Sequence, residues 1–362
     1  MRGGACSVPT SAHAPREGKD SVLLALAVIT AGALVRQSDR LHFARGRPAC
    51  AGPARLIALQ RSRANNLTPA LLLAGQWIQI TGWWLLAPHH PLAAAVAVFA
   101  VAVHVRHLQE ISHFAVHGVL ARTPRANHLL GEALVHHPLG LGPLPERRRR
   151  HVQGHHPRAT LDGDPNLTEL RAAGLRPGVT KARFTLALAR PLTPAGARAT
   201  AASLTDGILG SPARAAVPAA VLAAAYLAGG WTAVTLGVLV PRLLLYPQLA
   251  WISLLAEHTW FDPDHRTGTP AQVEAGRCLR LYPRNRLLAA LAAATCLPYG
   301  DLHHYAHSAH PAIRWNYLPA LERHLPAPHF TPNGFLLGPG SVVRRHHRAL
   351  TPPARQTGAE TT

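Results

Sequence analysis

The sequence predicts an all-α, membrane-embedded protein, and three features carry that prediction. Apolar residues, 48% of the 362, are bunched into long Ala/Leu/Val runs instead of recurring at helical or strand period. Charged residues make up only 15% and mean hydropathy is +0.06, which excludes disordered, collagen-like and coiled-coil classes. The basic residues avoid the short turns between apolar runs and crowd the segments outside them.

The elements follow in chain order. Residues 1–64 read as a basic N-terminal segment. Residues 1–20 are polar and the apolar run 22–35 lacks a cleavage pattern, so no secretory signal is expected. That run is too short for a span and is expected to lie in the interface or line a buried path. Residues 69–88 (PALLLAGQWIQITGWWLLAP) and 91–105 (PLAAAVAVFAVAVHV) form a first helical hairpin around His89-His90. Residues 215–256 are apolar except for Arg242 and contain Gly229-Gly230, a natural place to reverse, so they read as a second hairpin. About 20 residues at ~1.5 Å each cross a ~30 Å hydrocarbon layer, which gives four core spans. Residues 287–297 are again too short. A membrane domain is expected over 65–330 and a tail over 331–362, with the ends 1–18 and 351–362 disordered.

Charge sets the orientation. Arg36 to Arg63, Arg122 to Arg214 and the Lys/Arg after the second hairpin mark one side, so both termini and the central loop are expected to be cytoplasmic. Ala/Arg richness suggests a bacterial plasma membrane. The net charge of +20 suits anionic headgroups or an acidic protein partner. No nucleic-acid partner is expected, because no helix-turn-helix, zinc-finger or RNA-binding signature occurs. Four scattered cysteines form no CxxC and argue against a disulfide scaffold or thiolate site.

Histidine is the anomaly: 24 imidazoles outnumber 17 carboxylates. His113 and His117 follow the second span, His151, His155 and His156 sit in the central loop, His258 follows the fourth span, and His303, His304, His307 and His310 lie in the C-terminal part. All four groups fall on one side of the membrane, so a helical cap there is expected to carry a metal site. His113 and His117 at i and i+4 share a helix face, as do His151 and His155, and His304 and His307 at i and i+3. Neutral imidazole suits Fe, Zn, Cu or Ni alike. A metal transporter would place ionisable groups at span centres, and these are nearly bare. His104 and His107 are intramembrane suspects. His89 and His90 lie at the outer turn, and His136, His137, His346 and His347 are expected at the surface or interface. Arg147 to Arg150 reads as a solvated, headgroup-binding run.

These residues resemble the membrane-bound fatty acid desaturase and hydroxylase superfamily with its three histidine boxes. His113-Phe-Ala-Val-His117-Gly118 matches the first box, His151-Val-Gln-Gly-His155-His156 the second, and Asp164-Pro165 the Asp-Pro that follows it. Glu257-His258 matches a pair found in many bacterial members. The stretch from His304 through His307, Pro311 and Trp315 to Leu318-Pro319 matches the third box and its trailing pattern.

The resemblance, over about residues 65–322, implies two non-haem Fe ions, O2, and electrons from a ferredoxin- or cytochrome-like donor. It implies hydrogen removal from an acyl chain or related lipid, free or on an acyl carrier, with hydroxylase or ketolase chemistry as the alternative. Box positions make His113, His117, His151, His155, His156, His258, His304 and His307 the expected metal ligands. Glu110, Glu257 and Asp164 are expected to orient them.

Two positions depart from the pattern: Ser308 replaces the last histidine of the third box, and Arg314 replaces a common Pro. His303, at i and i+4 to His307, is the favoured replacement ligand over His310, which precedes Pro311. A water held by Ser308, or an impaired site, are the other readings.

Overall fold

The computed structural model describes residues 14–351. Among these, helices and turns make up the whole fold, and the only ladder pairing is two isolated bridges, His258–Cys278 and Leu279–Phe330. Of the ends expected to be disordered, residues 1–13 and 352–362 lie outside the described residues, while 14–18 belong to the first helix.

Helix α1 (Ala14–Gly46) corrects the reading of the N-terminal run. It contains a stretch, Lys19–Phe43, long and apolar enough to cross a membrane. The apolar count stops at Arg36 because a charge ends a run in sequence. The helix continues because that charge finds a partner: the guanidinium reaches His107 Nδ1 at 3.5 Å, and Asp39 one turn on is buried. α1 lies antiparallel to α2 (Thr68–Leu86), with Ala25 and Ile29 beside Gly82 and Arg36 beside Gly75. A Cβ at Gly75 would stand 2.9 Å from the Arg36 nitrogen and the Gly32 carbonyl oxygen. Small residues let the two backbones touch, which is how helices associate without a hydrophobic driving force.

The 19 residues of α2 span roughly 28 Å. The turn Ala87–His89 leads into α3 (Pro91–Val116), whose first turn is capped by His90 Nδ1 accepting from the Leu92 amide at 3.1 Å. α3 runs on eleven residues beyond Val105, so His113 rides on the membrane helix itself.

The long apolar stretch Pro212–Glu257 would measure about 69 Å if straight, more than twice a hydrocarbon layer. It comprises α4 (Pro212–Val234), two π-helical turns (Thr235–Leu239 and Pro241–Leu245) and α5 (Tyr246–Glu257). Inside α4, Gly229 (φ −155°, ψ 23°) and Gly230 (φ 62°, ψ −156°) leave helical geometry. Arg214 donates to the Leu141 carbonyl at 2.8 Å and Arg242 to the Leu139 carbonyl at 2.7 Å. Two residues that a straight helix would hold ~42 Å apart thus reach neighbouring carbonyls, and the chain doubles back between them.

The remaining segments pack against the C-terminal ends of α3 and α5. Arg147 donates to Ser112 Oγ at 2.8 Å, and Arg148 donates to the Val116 carbonyl. Of the basic run expected to be solvated, Arg147 is therefore turned inward onto the end of α3, while Arg148 reaches it from an exposed position. Two histidines expected at the surface are also buried: His136 bonds the Gly142 carbonyl, and His346 the Leu255 carbonyl at 2.9 Å. His346 belongs to a helix, Val342–Leu350, whose Leu350 joins Trp251, Leu255 and Trp260 in one apolar cluster. The short helix Arg286–Ala294 turns Leu287 and Leu291 outward and buries Ala292.

Arg314, the second departure from the box pattern, is fully buried. It donates to the carbonyls of Val119 (2.5 Å), Leu120 (2.7 Å) and Asn65 (3.1 Å). It ties the segment after the first box to the third.

Candidate metal centre

Histidines from four separate segments meet at the junction of α3, α5 and the cap. His113 and His117 leave the last turn of α3. His151, His155 and His156 come from the turn Arg149–His155 and the residue after it, and His258 directly follows α5. His304 and His307 stand on α6 (His304–Ala309). They sort into two groups, each with ligand atoms within 4.8 Å of one another. The first holds His113, His117, His151, His156 and His307, and the second His155, His258, His304 and Glu257.

The sorting of the second box corrects the expected face. Arg149–His155 winds as a π-helix, with hydrogen bonds between residues five apart. The residue that returns beneath His151 is therefore His156, not His155. His156 Nε2 lies 3.1 Å from His151 Nε2, and His155 turns to the other group.

In the first group, His113 Nε2 lies 2.7 Å from His151 Nε2 and 3.2 Å from His117 Nε2, and His117 Nε2 lies 3.3 Å from His156 Nε2. In the second, His258 Nε2 and His304 Nε2 are 3.1 Å apart. Two nitrogens each about 2.1 Å from one ion, at 90–110° to each other, would be about 3.0–3.4 Å apart. The spacings from 3.1 to 3.3 Å match that arrangement, and the His113–His151 pair at 2.7 Å is closer than it requires. Buried nitrogens without partners point the same way: among the described residues, neither ring nitrogen of His307, nor His155 Nε2, has a hydrogen-bond partner.

Other groups hold the rings. His155 Nδ1 is bonded to both Asp164 oxygens at 3.0 and 3.1 Å, His113 Nδ1 to Glu110 Oε1 at 2.7 Å, and His258 Nδ1 to the Arg277 carbonyl at 3.2 Å. Each leaves Nε2 free to face the group centre. Asp164 is itself fixed by the Thr160 and Asn166 amides. Burial, reinforced by neighbouring imidazoles, holds His117, His151, His258, His304 and His307 well below the usual histidine range and His156 at about 3. The rings are neutral at pH 7, the form that ligates metal. Beneath the first group, Arg106 pairs with Glu110 at 3.1 Å and with Asp301, whose carboxyl burial pushes up to about 7.

Eight of the nine expected ligands thus come together. The structure places His303 elsewhere: its Nδ1 is held by Glu322 at 2.6 Å. The i to i+4 face linking it to His307 does not form, because Asp301–His303 is a 3₁₀ turn and the α-helix begins only at His304. His310 has left the helix at φ −143°, ψ 74°. Sequence reasoning took Glu257 only as an orienting group, although the adjacent His258 marks it. Asp301 carries no sequence signal at all.

No curated protein sequence matches the chain. The family model described as fatty acid desaturase matches residues 87–333, a span that contains every histidine of both groups together with α3 and α5. Two-thirds of the chain falls within that match, and the chain belongs to the fatty acid desaturase family.

Proposed function

We propose that this membrane protein is an O2-dependent non-haem di-iron oxidoreductase that desaturates an acyl chain or related lipid. The observation that supports it best is the pair of histidine groups with unpartnered buried nitrogens, set where apolar helices end. Bound at these groups, two iron ions would supply the redox chemistry. O2, two electrons and two protons take up two hydrogens from adjacent carbons, leaving a C=C bond and two waters.

The chain's own residues prepare that chemistry. Five imidazoles hold one position, and three imidazoles face the other. Asp164, Glu110 and the Arg277 carbonyl fix ring orientation, so little reorganisation accompanies binding. Buried apolar neighbours such as Phe114, Trp260 and Trp315 keep water from the rings. The arginine-rich segments support a cytoplasmic site in a bacterial plasma membrane, reached by a ferredoxin- or cytochrome-like electron donor.

The test is metal analysis of the purified protein followed by product analysis with a reductant and a lipid panel. About two Fe and a new double bond are expected. An alcohol or ketone product would move the reading to hydroxylase or ketolase chemistry. Zinc alone, or no metal, would end the di-iron reading.

A further inference from the structure

We infer that Glu257 is a direct metal ligand, filling the coordination position that the third box lost at Ser308. The inference rests on the two-metal reading above. Helix α6 serves both groups: His307 turns to the first and His304 to the second. His304 and Ser308 are i and i+4 and share a face, so a histidine at 308 would lie on the side of the second group. Serine there leaves that group three imidazoles against five in the first.

Glu257 completes it. A carboxylate oxygen lies with the ligand nitrogens of His155, His258 and His304, all within 4.8 Å of one another. Among the described residues Glu257 forms no ion pair, and its side chain accepts only a 3.5 Å hydrogen bond from Ser253. The nearby cations are engaged elsewhere, Arg106 with Glu110 and Asp301, and Arg277 with Glu274. A carboxylate in this setting with no cation paired to it is costly, and a bound metal ion removes that cost.

The other candidates are excluded by position. His303 is held by Glu322, and His310 has left the helix. The Cys278 thiol touches His258 at Nδ1, the nitrogen opposite the one turned to His304. The centre is therefore asymmetric: one position has five nitrogens, the other three nitrogens and an oxygen.

Cobalt(II) titration of the purified full-length protein in detergent tests this through its d–d spectrum and bound stoichiometry, without reference to turnover. The wild-type protein should take two Co(II). Glu257→Gln, a nearly isosteric change, should weaken the second at least ~10-fold and leave the first. Adding Ser308→His to Glu257→Gln should restore two, and Ser308→Ala alone should keep two. Two sites of unchanged affinity in Glu257→Gln would overturn the inference. So would loss of a site in Ser308→Ala, or fewer than two Co(II) in the wild type. Iron-free isolated protein that still shows this Glu257 dependence would support the ligand and overturn only the di-iron reading.

Discussion

The membrane bundle and the cap are held together by opposite means. Between α1 and α2 the contacts are backbone against backbone, made close by Gly32, Gly75 and Gly82. Outward, the bundle exposes large apolar side chains such as Leu24, Phe99, Leu227 and Trp231 to its surroundings. In the cap, apolar clusters such as Trp260 with Leu350 are joined by paired polar groups: His155 on Asp164, His346 on a carbonyl, Arg314 on three carbonyls, Arg277 on Glu274. The difference teaches where each kind of substitution acts. Bundle residues set distances and exclude water, so changes there cost stability gradually. Cap residues each satisfy a specific buried group, so a single change leaves an unpaired partner.

The sharpest break of that contrast is His151→Ala. His151 contacts His113 and His156 in the first group, and its loss should cut bound metal and turnover by more than the ~10–100-fold typical of losing a group that only orients a ligand. Metal content alongside the melting temperature checks it, and full occupancy would remove His151 from the ligand set. Asp164→Asn comes next. It keeps the shape of the carboxylate but loses its charge beside His155 Nδ1, and a ~10–100-fold loss of affinity is expected. Unchanged metal binding would make Asp164 only a helix cap.

A third effect is on stability alone. Burial lowers His346 from 6.5 to about 4, so the folded state holds it neutral while the unfolded state takes up a proton. Stability is fully present above pH ~6.5 and falls by about 1.4 kcal/mol per unit until about pH 4. Comparing denaturation midpoints of the wild type and His346→Gln between pH 7 and 4.5 isolates this contribution. Equal pH slopes would remove His346 as its source. The smallest change is expected in the bundle, where Gly75→Ala forces α1 away from α2 and should cost about 1–3 kcal/mol with metal content unchanged. A loss of metal in Gly75→Ala would show that the bundle and site are not separable.

Sequence alone determined the fold class and the family. Long uncharged runs fixed an all-helical membrane protein, because only helices or closed barrels satisfy the backbone in lipid. The convergence of His113, His117, His258, His304 and His307 was legible because box spacing is local. Gly229-Gly230 marked where the long apolar stretch breaks.

What lay between segments was decided only by the tertiary structure. That α1 continues past Arg36 into a stretch long enough to cross a membrane is seen only in the structure, where Arg36 reaches His107 on α3, 71 residues away. The phase of the second box depended on one π-helical turn, which moves every later side chain around the axis and sends His155 and His156 to different groups. His303 was lost to Glu322, and Glu257 joined the imidazoles, because helix ends and partners at long range set where a side chain can point. Periodicity describes one element's faces, and a metal centre is built where the faces of several elements meet.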